Sequence, residues 1–285
     1  MHDRAIIIPL MSAEPHWTTA SPEGAARRQD AWHWRLFVTG LSFLSFGIGA
    51  FIVGTVLLPI VKLIPAPRDV KRRRARAAMS AALRFFIGIM HRGGALTYEF
   101  HGRERLGRPG QMVVANHPTL IDVVFLLAFM PAAGCVVKQG LWRHPLTRWA
   151  VTLVEFIPND NAAGMIEGAS RALKEQQTLI FFPEGTRTRL NQPMVFHRSA
   201  ANVALRAATT VTPVYIRCNP TTLTKSEPWH RIPPRRPHFS LTVGDDLDLS
   251  PYRQAPLPVG SRALNDSLHQ HFQQELARSG PAHAP

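Results

Sequence analysis

From Leu36 to Val61 the chain runs 26 residues without a charged side chain, LFVTGLSFLSFGIGAFIVGTVLLPIV. The hydrocarbon core of a bilayer takes roughly 20 apolar helical residues to cross, so this run is long enough to enter a membrane. Its four glycines and Pro59 permit a full span or a dip into one leaflet and back. It starts too late and runs too long for an ordinary secretory signal, and no small-residue cleavage site follows. A helix buried in a soluble core fits the same pattern, but the flank favours the membrane. Lys62, Arg68, Lys71, Arg72, Arg73, Arg74, Arg76, Arg84 and Arg92 follow, against the single acid Asp69. Cations on one side of an apolar segment place that side, and everything after it, on the cytoplasmic face. Near a membrane surface each also holds anionic lipid by about 1 kcal/mol.

The formal net charge is +14, and residues 1–110 hold 16 Lys/Arg and 7 Asp/Glu, or +9 of it. So much positive charge also suits nucleic acid. No zinc-finger, homeodomain or RNP-type motif accompanies it, and it abuts the apolar run, so membrane lipid is the expected partner and nucleic acid is not. Residues 1–34 mix Pro, Gly, Arg and Ser without periodicity and read as a mobile tail, with Met11 an alternative start. Residues 35–92 read as membrane-associated helices, the second over 70–92 and apolar enough to lie in or on the bilayer.

A domain is expected over 93–280. ALTYEF, QMVVAN, GCVVK, VEFIP, TLIFF, VTPVYI and HFSLTVG read as strands. Helical stretches fall at 119–130, 140–152, 161–176 and 198–208, with a last helix near 260–278. Alternation of this kind predicts an α/β fold, a central mostly parallel sheet flanked by helices. Residues 219–237 form a Pro- and Arg-rich loop. Cys135 and Cys218 lack metal-ligand spacing and read as reduced core residues.

Two stretches carry chemistry. In ANHPTLID the strand ends near Ala115, and Pro118 suits the first position of a helix. His117 then sits outside the helix and Asp122 about one turn inside, so the imidazole can swing back to the carboxylate. A carboxylate on one ring nitrogen fixes the tautomer, and the other nitrogen is free to take a proton from an alcohol. A capping histidine and a dipole-favoured aspartate give the same pattern with no chemistry. A metal is not expected, because no third ligand stands at recognisable spacing. In TLIFFPEGTRTR a buried strand enters a turn bearing Glu184, Gly185, Thr186 and Arg187. Glycine lets backbone approach a ligand, and a guanidinium grips phosphate with two parallel bonds. A plain turn with solvated arginines is the competing reading.

Together, Asn-His-x-x-x-x-Asp and, about 60 residues later, Phe-Pro-Glu-Gly-Thr-Arg resemble the glycerolipid acyltransferases, which include the 1-acylglycerol-3-phosphate acyltransferases. The resemblance covers roughly 95–217 plus the membrane-embedded N-terminal helices. It implies His117 as general base on the acceptor hydroxyl, Asp122 as its orienting carboxylate, and direct attack on an acyl thioester without an acyl-enzyme. It implies that Glu184, Gly185, Thr186 and Arg187 bind the acceptor, with Arg187 at the phosphate. Lys138 matches a frequent family lysine, and VTPVYI, marked by Pro213, a block tied to acyl binding or packing. The second block departs: EFIPND offers Asn159 and Asp160 where the family carries an arginine. FHRSA stands where Phe-Lys-x-Gly-Ala is common, and Arg198 or Arg189 can restore charge there. The implied activity is acyl transfer to a lysolipid, 1-acylglycerol-3-phosphate first and lyso-ornithine lipid or another lysophospholipid as the alternative. The co-substrate is an acyl-carrier protein or acyl-CoA thioester, with no cofactor, at the cytoplasmic face of a membrane.

Overall fold

The computed structural model describes residues 31–57, 60, 63–143, 145–188, 192–225 and 227–278. The expected tail lies outside them up to residue 30, and Trp32 to Trp34 already belong to the first helix. That helix, α1 (Trp32–Ile52), continues into a π-helical turn, Val53–Leu57. Its buried residues are Arg35, Val38, Thr39 and Ser42, a stripe spaced by three and four residues as one helical face requires.

The stripe rests on α2 (Arg68–Arg92). Phe43 and Phe46 meet Phe86 edge-on, with centroids 5.7 and 5.4 Å apart. Gly93, just past α2, is needed for the close approach, since a Cβ there would lie 2.5 Å from Val38 Cγ1. The rest of α1 faces outward, with Phe37, Leu41, Leu44, Ile48, Phe51 and Ile52 exposed. By length and composition, Trp32–Val56 can enter a membrane.

The second helix was expected in or on the bilayer, and in the structure one of its faces packs on the domain. Ala75, Leu83, Phe86, Ile87 and Met90 of α2 join the same cluster as the sheet residues Val113, Ile180 and Phe239. Apolar helix positions suit lipid and protein equally, and Arg76 marks the face that meets protein. Its guanidinium is buried and donates to the carbonyls of Val154 (2.8 Å), Ala132 (3.0 Å) and Glu155 (3.3 Å). Burial draws its pKa down to about 10, still protonated at neutral pH. Arg68 and Arg72 pair with Glu155, and Arg73 with Asp69. Much of the basic flank is therefore engaged by the protein itself.

The sheet has seven strands: β1 (Thr97–His101), β2 (Gln111–Ala115), β3 (Gly134–Val137), β4 (Ile157–Pro158), β5 (Leu179–Phe181), β6 (Thr210–Asn219) and β7 (His238–Val243). Their spatial order is β1-β7-β6-β2-β5-β3-β4, parallel throughout except for the antiparallel β6–β7 pair. Side chains alternate across it. Val113 and Ala115 join the cluster beneath α1, α2 and α3 (Asp122–Phe129), while Met112 and Val114 join the other. The second face is covered by α6 (Ala162–Lys174), α7 (Ser199–Ala207) and α9 (Leu257–Arg278), with Phe272 fully buried.

The stretch 140–152 is helical over Gly140–Arg143 (α4) and Pro145–Leu153 (α5). Two expected strands change shape. VEFIP narrows to Ile157–Pro158, because Glu155 takes a left-handed conformation at φ 52°. VTPVYI lengthens to Thr210–Asn219, since β7 pairs with its second half. A further short helix, α8, spans Ser250–Arg253.

Both cysteines are buried and unpaired. Burial pushes the Cys135 thiol up to about 12 and raises that of Cys218 as well. The thiolate is the reactive form, so the folded protein is expected to resist iodoacetamide at neutral pH and react twice per chain only in denaturant. Intact-mass spectrometry reads this directly.

Candidate active site

Parallel strands deliver their carboxyl ends to one edge of a sheet, where open α/β folds carry their ligands. Here β2 ends into Asn116 and His117, β5 into Phe182, Pro183 and Glu184, β3 into Lys138, and β4 into Asn159. Extending the register of Val114 with Phe181 sets His117 beside Glu184, and that of Val137 with Pro158 sets Lys138 beside Asn159. The topology thus gathers onto one edge residues that lie 21 to 67 positions apart in the chain.

The proton-handling pair forms. His117 Nδ1 lies 2.9 Å from Asp122 Oδ2, and an ionised carboxylate only accepts, so Nδ1 carries the hydrogen. The Asp122 side chain is fully buried and that of His117 is 16% exposed. The carboxylate also accepts from Thr119 N–H and Thr119 Oγ1–H, both at 2.6 Å. Three donors on a buried carboxylate fix its position. The imidazole stacks on Phe182 with centroids 4.3 Å apart. Among the described residues its Nε2 takes no protein hydrogen bond, which leaves that nitrogen for a substrate.

The local backbone differs from expectation. The helix begins at Asp122, not near 119, so Asp122 is its first residue and not one turn inside. The Asp122 carboxylate binds Thr119 and holds 117–121 as a turn, which brings the ring back onto it.

Glu184 does not project toward solvent with the rest of its turn. It is buried and accepts from the His117 backbone N–H (2.9 Å) and from Thr188 Oγ1–H (2.8 Å). The Thr188 N–H in turn donates to His117 O at 2.7 Å. The two motifs are thus stitched backbone to side chain. Burial, the largest influence, raises the Glu184 pKa. The folded protein then holds this proton more tightly than the unfolded chain, so stability falls as pH rises through the raised value. Glu184→Gln keeps an acceptor for His117 N–H and removes the titration. Its urea midpoint is expected to vary less with pH than the parent's above the ordinary carboxylate range.

Gly185 has φ +63°, a left-handed conformation that favours glycine. His197 lies over it: a Cβ at Gly185 would come 3.4 Å from His197 Cδ2 and 3.8 Å from Asn159 Nδ2. Thr186 Oγ1 is buried without a hydrogen-bond partner among the described residues. Arg187 donates through Nη1 to the carbonyls of Leu223 (3.1 Å) and Thr224 (2.8 Å). Lys138 and Arg198 are exposed, Lys138 just past β3 and Arg198 at the start of α7. Arg189 lies outside the described residues. Asp160 turns back onto the Asn161 N–H at 2.7 Å.

Sequence reasoning overlooked several contributors. Asn116 clasps the β6 backbone, donating to Ile216 O (2.8 Å) and accepting from Ile216 N–H (2.7 Å), and so locks the strand end that carries His117. A polar residue closing an apolar run was the available signal. Thr119, Thr188 and Phe182 carried none. Among the described residues, no group of three or more His, Cys, Asp or Glu is placed to hold a metal.

A histidine backed by a buried carboxylate lies on the ligand edge of this sheet, and residues 97–217 match the family model described as Acyltransferase. The protein is an enzyme of the acyltransferase class. More particularly, it is similar to the glycerolipid acyltransferases. It is 26% identical to a Pseudomonas aeruginosa 1-acyl-sn-glycerol-3-phosphate acyltransferase over 62% of this chain and 69% of that protein. A chloroplastic 1-acyl-sn-glycerol-3-phosphate acyltransferase of Arabidopsis thaliana is 26% identical over 35% of this chain and 30% of its own length. The crystal structure of the 1-acyl-sn-glycerophosphate acyltransferase PlsC from Thermotoga maritima superposes with a TM-score of 0.65 at 18% identity, covering 84% of this chain and 96% of that one. At that identity the likeness is one of fold.

Proposed function

We propose that this enzyme transfers an acyl chain from a thioester, acyl-carrier protein or acyl-CoA, to the hydroxyl of 1-acylglycerol-3-phosphate, giving phosphatidic acid. The observation that carries the reading is the His117–Asp122 pair stitched to the Glu184–Arg187 turn. His117 Nε2 removes the hydroxyl proton as the oxygen attacks the thioester carbonyl. Asp122 stabilises the imidazolium, and the same proton then passes to the departing thiolate. Glu184 positions His117, Gly185 opens room for the headgroup, and Thr186 and Arg187 offer it donors.

A membrane setting fits the rest. A narrow apolar crevice of only about 10 Å³ is lined by Thr39 of α1, by Ile121 beside Asp122, and by Leu223 and Phe239. Its apolar lining joins the first helix to the residue before Asp122, a surface suited to hydrocarbon and not to water. The helix lies along the domain, from Trp34 on Gly93 O (3.0 Å) to Phe46 on Phe86, so we infer that it lies within one leaflet, its outer face in lipid.

A second acceptor has its own support. Asn159 and His197, one residue from each stretch that departs from the family pattern, both reach Gly185. An amide and an imidazole there suit a headgroup of lower charge, such as lyso-ornithine lipid, better than a phosphomonoester. Membranes carrying the enzyme or its His117→Ala variant, given labelled acyl donor and a panel of lysolipids, separate the two by product mass. Arg187→Ala is expected to raise KM for lysophosphatidic acid at least tenfold with a smaller change in kcat. An unchanged KM removes Arg187 from headgroup binding.

A further inference from the structure

The cations at the start of α2 are largely engaged within the protein. Three arginines of the loop between β6 and β7 are not. Residues 219–237 hold Lys225, Arg231, Arg235 and Arg236 against one acid, Glu227, whose carboxylate accepts from Thr224 N–H at 3.2 Å. Arg231, Arg235 and Arg236 are exposed, and none makes a side-chain ion pair or hydrogen bond to the described residues. The loop is also fixed in place. Trp32 Nε1–H donates to Ile232 O (3.4 Å), and Arg35 Nη2–H to Pro233 O (3.1 Å) and Pro234 O (2.5 Å). Trp229, 45% exposed, lies over Gly40 and against Phe43, with ring centroids 5.9 Å apart.

The loop is thus strapped along the first turns of the apolar helix. The exposed indoles of Trp229 and Trp34 lie at the same end as the three arginines and His230. Indole rings with guanidinium groups at the end of an apolar surface are the chemistry of the headgroup layer. We propose that the loop from Trp229 to Arg236 is a binding site for anionic phospholipid headgroups, which sets the depth and tilt of the enzyme on the bilayer. The proposal rests on the membrane setting above. Charge complementarity selects the occupant: three exposed guanidinium groups, no exposed acid within the loop, and an adjoining helix face that hydrocarbon must cover. The same loop offers its Leu223 and Thr224 carbonyls to Arg187, so the headgroup layer is set at a short chain distance from the acceptor turn.

The test is flotation of the full-length protein with phosphatidylcholine vesicles and with phosphatidylcholine–phosphatidylglycerol vesicles. The triple variant Arg231→Gln, Arg235→Gln, Arg236→Gln is compared with the parent, and Arg73→Gln, Arg74→Gln serves as the control from α2. At about fivefold per arginine, the triple variant is expected to lose on the order of 100-fold in partitioning to anionic vesicles at low salt. Binding to neutral vesicles, carried by the apolar helix, stays as in the parent, and the control loses far less. Anionic partitioning that is unchanged in the triple variant overturns the proposal and leaves the membrane setting standing. A parent protein that floats with neither vesicle overturns the membrane setting and the proposal together. If flotation survives the triple substitution while capture of acyl-carrier protein weakens, the surface belongs to the donor's carrier and the lipid site falls.

Discussion

Replacing His117 by Ala is expected to lower the acyl-transfer rate by about 10²–10⁴-fold, the usual contribution of a positioned general base. The fold should survive. The side chain is partly exposed, its loss leaves no buried donor stranded, and the backbone contacts to Glu184 and Thr188 do not involve the ring. Circular dichroism and the melting curve should therefore match the parent while product formation disappears. Asp122→Asn is a less clean probe. Its carboxylate accepts from three donors, whereas an amide has one accepting oxygen, so the turn at 117–121 and the base suffer together. Turnover retained in the His117 variant would remove the base from the mechanism.

The largest effect on stability is expected at Phe125. It lies on α3 just after Asp122, is fully buried, and touches both Tyr98 and Phe239 with ring centroids 5.2 Å apart. Phe125→Ala deletes a ring from a site walled by sheet and helices that cannot collapse around it. It should cost about 3–5 kcal/mol. Single domains commonly hold only about 5–15 kcal/mol in all, so the variant should unfold at a much lower urea concentration. Because α3 opens with Asp122, activity should fall at temperatures well below the global melt. A midpoint shifted by less than a third of that expectation would mean the core closes over the gap.

Most of the sheet was legible because buried parallel strands read as short apolar runs between turn residues. The catalytic pair was legible because two titratable residues interrupt such a run. What stayed hidden depends on contacts distant in sequence. Which face of α2 meets protein is set by carbonyls 56 to 79 residues away, on which Arg76 closes. Glu184 reads as a ligand-binding residue, and its bond to the His117 N–H is visible only once β2 and β5 lie side by side. Arg187 looked free in a polar turn, but its partners sit in the loop after β6.

The strand order carries a consequence for how such an enzyme changes over time. In the proposed mechanism proton transfer is housed around the ends of β2 and β5, while Asn159 arrives from β4, two strands beyond β5, and His197 from the approach to α7. On that proposal the parts that recognise a headgroup are inherited on separate stretches of chain from the part that makes the bond. A duplicated gene can exchange one headgroup contact at a time and remain a working catalyst at every step. A lineage of such enzymes can spread across many lipids while its reaction stays the same.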